Sequence, residues 1–186
     1  FYFSPQKAFG SEGGLWIGIF SPKAVAQIER VKKSGRYIPA MLDFTLALKN
    51  AESNQTYNTP ALTTLYLLEK QLNWFLEQGG IGAISKSQDE KVKVLHSWVD
   101  RRQELSHYIK EEKARSKTVC TINIDKSIPY DQMTKHLRKF GILDIDCYRN
   151  LGENQIRVSL FPNIRKEDLV LLTQAVDYLL DNRKQG

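Results

Sequence analysis

Three places along the chain hold side chains whose type and setting could do chemistry. The first is Lys7, within "FYFSPQKAFGSEGGLWIGIF". An aromatic run ends in the polar pair Gln6-Lys7 and a second apolar run begins after Gly13-Gly14, which delivers a primary amine onto a turn. An amine so placed is one able to react as a nucleophile. A lysine near a strand end is otherwise an ordinary solvated charge, since Lys is rarely buried unpaired. The second place is Asn58-Thr59-Pro60, at the head of an apolar-periodic stretch. Thr59 suits an N-cap and Pro60 the first helical position. The free N–H groups and positive dipole end of such a helix suit a phosphate or a carboxylate, although the same residue types are simply good caps. The third is the pair Arg149 and Arg157. Arg157 sits between Ile156 and Val158, where its guanidinium either reaches water on a solvated face or offers a fork to a carboxylate. Strand alternation allows both.

These residues need elements to position them. Residues 1–3 read as a buried strand with nothing before them to start a domain, so the chain reads as a fragment, and "LWIGIF" (15–20) reads as a second strand. Ser21-Pro22 opens a helix with Val25, Ile28 and Val31 on one face. Residues 35–55 are irregular, with a helix expected over 43–55. Leu62, Leu65, Leu68, Leu72, Phe75 and Leu76 mark an amphipathic helix stopped by Gly79-Gly80. A further helix follows Gly82, with Ile84, Val92, Val94, Leu95 and Trp98 inward, and the charged stretch 108–117 connects it to a sheet. Then come a strand over 118–124, a helix over 129–140 stopped by Gly141, strands at "LDIDCY" and "NQIRVSLF", and a closing helix "KEDLVLLTQAVDYLLDN". The order β-α-β-β-α describes a small α/β unit in which helices cover one face of a sheet.

Composition narrows the class. With 186 residues, 41% hydrophobic and 26% charged, the chain is long enough for one domain with a core or for parts of two. Cys120 and Cys147 are too few for a disulfide framework, so a reducing cytosol is expected. His96, His107 and His136 form no ligand pair at sequence spacing, and no metal is expected. No apolar run approaches the roughly 20 residues that span a bilayer, and no signal segment opens the chain, which predicts a soluble, cytoplasmic protein without a membrane partner. A net charge of +6 permits nucleic-acid binding, but the basic residues are mixed with acids throughout, and they read as solvated helix faces.

"SPQK" before a glycine pair, "YNTPA" at a helix start about fifty residues on, and "YRNLGENQIRVSLFP" before the closing helix resemble the C-terminal half of the phosphoserine aminotransferases. These are class V members of the fold-type I pyridoxal-phosphate (PLP) aminotransferases. The resemblance covers essentially the whole chain, and "SEGGLW" and "NQTYNTPA" are close to the actinobacterial-type branch. It implies an aspartate aminotransferase-like α/β fold, with 1–80 the end of the PLP-binding large domain and 81–186 a small C-terminal α/β domain. It implies that Lys7 forms the Schiff base with PLP and moves the proton at the substrate Cα, while Gln6 binds the cofactor phosphate. By the same resemblance Asn58 and Thr59 reach the phosphate of the neighbouring subunit's cofactor in a homodimer with shared active sites. Arg157 takes the substrate α-carboxylate, and Arg149 the distal phosphate or side-chain carboxylate. The implied reaction moves the amino group of glutamate to 3-phosphohydroxypyruvate, giving phosphoserine and 2-oxoglutarate in serine biosynthesis. Better-known members have a His-Arg pair where this chain has Tyr148-Arg149, and the "NLGEN" loop is two residues longer. The family's pyridinium-partner aspartate and ring-stacking aromatic lie upstream of the Schiff-base lysine, so these 186 residues alone are expected to be inactive or nearly so. Alternatives are another class V activity such as alanine-glyoxylate transfer, against which two arginines for two anionic groups argue, or a stand-alone α/β interaction module.

Overall fold

A computed structural model describes residues 1–182, apart from the side chain of residue 150, and divides the chain into two compact units. One comprises residues 1–7 and 11–72, the other residues 8–10 and those from 73 on. No helix among the described residues is long and apolar enough to cross a membrane.

In the first unit β1 (Tyr2–Phe3) pairs antiparallel with β2 (Ile17–Gly18). Phe1 and Ile19 extend the pair by exchanging backbone hydrogen bonds of 2.8 and 2.9 Å. The run 15–20 therefore supplies two strand residues rather than six. Nor is the N-terminal run buried as expected: Phe1 and Tyr2 are 86% and 81% exposed. A two-stranded ribbon offers no second layer to cover such aromatics. Helix α1 (Pro22–Lys33) forms as its sequence dictates, with Ser21 Oγ accepting from Ala24 N at 3.3 Å. Helix α2 (Phe44–Glu52) is capped by Asp43, whose Oδ1 accepts from Thr45 N at 3.1 Å. The other carboxylate oxygen meets Lys32 Nζ at 2.5 Å, tying the last turn of α1 to the start of α2. Together these hydrogen bonds hold the Asp43 carboxyl at about 2, with the Lys32 ammonium the largest cause. Helix α3 (Leu62–Glu77) follows.

The second unit holds α4 (Gly80–Arg101), β3 (Leu105–His107), β4 (Val119–Ile124), α5 (Tyr130–Lys139), β5 (Gln155–Ser159) and α6 (Lys166–Asn182). Its sheet is antiparallel in the order β3-β4-β5. Helices cover one face, as expected, but the strands differ. Three-residue β3 lies ahead of the charged connector, and "LDIDCY" is not a strand. Asp144 adopts φ +58 there and breaks the extended run. From this run Ile145 O accepts from Arg157 N of β5 at 2.9 Å. Alternation along β4 and β5 turns Cys120, Ile122, Ile124, Ile156 and Val158 into the core, against Leu95, Trp98 and Val99 of α4 and Leu169, Leu172 and Val176 of α6.

Buried polar side chains fix the loops. Lys91, buried on α4, donates from Nζ to Phe161 O and Ile164 O at 2.9 and 3.1 Å, while its burial pushes its pKa down. Beside it Gln88 Nε2 donates to Leu160 O and to Lys117 O. Trp98 Nε1 donates to Asp177 Oδ1 at 2.8 Å and Arg102 reaches Asp181 at 2.8 Å, joining α4 to α6. Asn154, just before β5, donates from Nδ2 to the carbonyls of Ile124, Asp125 and Ile128 at 2.9–3.0 Å, and its Oδ1 accepts from Tyr130 N.

Asn154→Ala strands those carbonyls and is expected to lower the unfolding free energy by about 2 kcal/mol in urea titrations, whereas a surface change such as Lys126→Ala costs under about 0.5 kcal/mol. For Asp43 the folded-state pKa lies below the usual carboxylate value, so its contribution is complete above pH 4 and is lost as pH falls through about 2. The stability gap between wild type and Asp43→Asn, read from thermal melts, should be constant from pH 7 to 4 and shrink toward pH 2.

Candidate active site

The turn that carries Lys7 is pinned at both ends. Pro5 is fully buried and its carbonyl accepts from Ser11 N at 3.1 Å. Ser11, itself buried, donates from Oγ to Thr64 O at 3.1 Å, and Thr64 Oγ1 donates to Gly13 O at 3.1 Å. Gly10 and Gly14 take φ +67 and +88, which lets the chain turn back without a Cβ penalty. Between those anchors Gln6 and Lys7 stand exposed. A primary amine and a carboxamide are thus presented to solvent on a loop whose feet cannot drift.

Asn58 and Thr59 are also exposed, in the same unit, on the segment leading into α3. The helix does not begin where expected. Its first residue is Leu62, and the first i→i−4 bond runs from Leu65 N to Ala61 O at 3.0 Å, so Thr59 is not its N-cap and Pro60 not its first helical residue. Two effects move the start. Pro60 biases Thr59 to extended backbone, and the buried Thr64, held by Ser11 and Gly13, fixes the first turn around itself. Thr56 Oγ1 donates to Asn58 O at 2.6 Å and orders the approach. Asn58 and Thr59 therefore offer side-chain donors ahead of the helix rather than on its first turn.

The two arginines belong to the second unit, where the fold brings them together. Arg157 lies on β5 opposite Thr121, with its side chain on the face away from the core, flanked by Ile156 and Val158 pointing inward. Its guanidinium lies 4.7 Å from the centroid of the Tyr148 ring, and the guanidinium of Arg149 lies 5.2 Å from the same centroid. One ring thus orients two forks by cation–π attraction. Arg149 adopts φ +43 at the start of a 3-10 turn over Arg149–Leu151, and Gly152 follows at φ +71. A left-handed arginine costs roughly 1–2 kcal/mol, the kind of strain that collects at functional loops. Among the described residues neither guanidinium has a carboxylate within ion-pair distance. Next to Arg157, buried Gln155 donates from Nε2 to Asn123 Oδ1 at 2.8 Å and firms the strand beneath it. Sequence reading missed Gln155 and Asn154, because a polar residue next to an apolar run signals nothing about its distant partners.

The histidines that are scattered along the chain are not all scattered in space. His96, His107 and Cys120 place their ligand atoms within 4.8 Å of one another, a grouping that local spacing could not show. Concavities exist elsewhere as well: one of about 300 Å³ lies beside α1 and α2, around Ile28, Val31 and Phe44, and one of about 390 Å³ beside α5 and α6. Neither is lined by Lys7, Arg149 or Arg157, and the amine that lines the first, Lys32, is paired with Asp43.

The chain is similar to known proteins over most of its length. The family described as Aminotransferase class-V matches residues 1–170. Phosphoserine aminotransferase of Corynebacterium glutamicum (strain R) is 42% identical over 181 residues, 97% of this chain and 48% of the relative. That of Rhodococcus jostii (strain RHA1) is 40% identical over 181 residues, again 97% and 48%. A solved phosphoserine aminotransferase from Cytophaga hutchinsonii superposes with a TM-score of 0.85 at 25% identity, over 95% of this chain and 48% of that one. The aspartate aminotransferase of Thermus thermophilus shares the fold alone, with a TM-score of 0.75 at 16% identity over 97% and 48% of the two chains. The chain spans about half the length of the curated relatives it matches. It belongs to the class-V aminotransferase family.

Proposed function

We propose that this chain is the C-terminal part of a PLP-dependent phosphoserine aminotransferase, which transfers the amino group of glutamate to 3-phosphohydroxypyruvate in serine biosynthesis. In this reading residues 1–80 complete the cofactor-binding domain and 81–186 form the small domain, a boundary a few residues beyond the 72/73 division of the two compact units. The protein works as a cytoplasmic homodimer with shared active sites, a setting in keeping with its two free thiols, Cys120 and Cys147. The observation that carries the reading is the Arg149–Tyr148–Arg157 arrangement: two guanidinium forks, oriented by one ring and without a protein carboxylate, suit ligands with two anionic ends. Glutamate and 3-phosphohydroxypyruvate are both of that kind.

The donor set fits the cofactor: a primary amine on a pinned turn for its aldehyde and the Gln6 side chain for its phosphate, with Asn58 and Thr59 as neutral donors for the phosphate of the neighbouring subunit's cofactor. PLP, when bound, supplies the sink for the electron pair left at the substrate Cα. The protein supplies the rest. Lys7 would hold the cofactor and, once released, move a proton between the substrate Cα and the cofactor's C4′. Arg157 clamps the α-carboxylate in a bidentate fork and so fixes the orientation of the bound substrate. Arg149 takes the distal phosphate or γ-carboxylate and makes chain length and charge the basis of selection. Tyr148 holds both guanidinium planes in place.

The test is steady-state kinetics on the whole protein. Lys7→Ala is expected to lower kcat by at least about 10³-fold. Arg157→Lys, which keeps the charge but not the fork, should lower kcat/KM for both substrates by about 30-fold, near 2 kcal/mol. Arg149→Ala should erase the preference for the phosphorylated acceptor. A wild-type enzyme that prefers glyoxylate to 3-phosphohydroxypyruvate would assign the alanine-glyoxylate type of activity instead.

A further inference from the structure

Besides the lysine and arginine residues assigned above, α4, β3 and β4 bring together three side chains that the proposed reaction does not use. His96 is on α4, His107 closes β3, and Cys120 is the second residue of β4. Their ligand atoms lie within 4.8 Å of one another, and the two imidazole rings meet edge to face with centroids 4.8 Å apart. His107 and Cys120 are buried and His96 half-buried, so His96 is the most accessible of the three. We propose that His96, His107 and Cys120 form a binding site for a zinc-like divalent transition-metal ion.

Ligand chemistry and surroundings agree. Two imidazole nitrogens and one thiolate are a borderline-soft set that selects zinc or cobalt over magnesium or calcium, and a water completes four-coordination. With metal–ligand bonds of about 2.0–2.3 Å the ligand atoms must close to about 3.5 Å, so ion binding requires the side chains to draw together. Asp100, one turn beyond His96, places Oδ1 at 3.1 Å from His107 Nε2. That is the outer carboxylate that orients metal-bound imidazoles, and it leaves Nδ1 for the ion. Burial, His107 and Arg115 push the His96 pKa down, so its lone pair is available. Burial pushes the Cys120 thiol up to about 11, so the ion must displace the thiol proton, which leaves to solvent. Arg115 opposes a cation here, but its guanidinium is occupied by the carbonyls of Ile109 and Lys110, while Asp100 and Glu112 supply compensating charge. A bound ion would staple α4 to both strands.

The test is a cobalt titration of the intact protein after dialysis against a chelator, followed by absorbance. One equivalent of Co2+ is expected to raise tetrahedral visible bands with a near-ultraviolet thiolate-to-cobalt band, both displaced by Zn2+. Cys120→Ala should remove the thiolate band while Cys147→Ala keeps it, and His96→Gln should weaken Co2+ binding at least about tenfold. If Cys120→Ala fails to fold by circular dichroism, His96→Gln on the half-buried position decides. Absence of a stoichiometric band in wild type, its loss in Cys147→Ala, or unchanged affinity in a folded His96→Gln protein overturns the site. None of these readouts depends on transaminase activity, so the outcome stands apart from the reading of Lys7 and Arg157.

Discussion

The pairing of β4 with β5 is the constraint on which the second unit depends. Its register sets Cys120 against Val158, Thr121 against Arg157 and Ile122 against Ile156. Because side chains alternate, burying Ile156 and Val158 forces Arg157 to the opposite face. A slip by one residue would expose two aliphatic side chains and bury an unpaired guanidinium, at a cost on the order of 5 kcal/mol or more. The same alternation delivers Cys120 inward, toward His96 and His107. Hydrophobic burial thus places both the arginine-bearing face and the histidine-thiol cluster.

Polar side chains finish what the core begins. Lys91, Gln88 and Asn154 reach carbonyls on segments about 25 to 75 residues away in sequence and fix the loops on either side of β5. The strain of Arg149 at positive φ is tolerated in a loop bounded by the Asn154 anchor and by Gly152. In the first unit the buried pair Ser11 and Thr64 plays the same part for the lysine turn. A reactive side chain on a loop is positioned as well as the loop's ends are held, and in both units buried hydrogen bonds do the holding.

What could be read from sequence follows from how local each cause is. Ser21-Pro22 announces α1 because cap, proline and periodicity lie within a few residues. Gly141 ends α5 for the same reason, and left-handed Gly79 separates α3 from α4, which begins at Gly80. The start of α3 was misplaced because Thr64 answers to Ser11 and Gly13, about fifty residues earlier. The "LDIDCY" run alternates like a strand, but Asp144 in left-handed backbone breaks it. The three residues of β3 are too few to signal themselves. Arg157 stood open between two faces until pairing with β4 chose one, and the meeting of both arginines on Tyr148 had no local trace. The motifs around Lys7, Asn58 and Arg157 pointed to the family, whereas the metal-ligand cluster was invisible until the helix and two strands were assembled.

The most direct test of the account is peptide mapping of the whole protein after borohydride reduction in the presence of pyridoxal phosphate. The account predicts a single stoichiometric cofactor adduct on the peptide that contains Lys7. A stoichiometric adduct on another lysine, or none at all in a protein that is folded and supplied with cofactor, would contradict it.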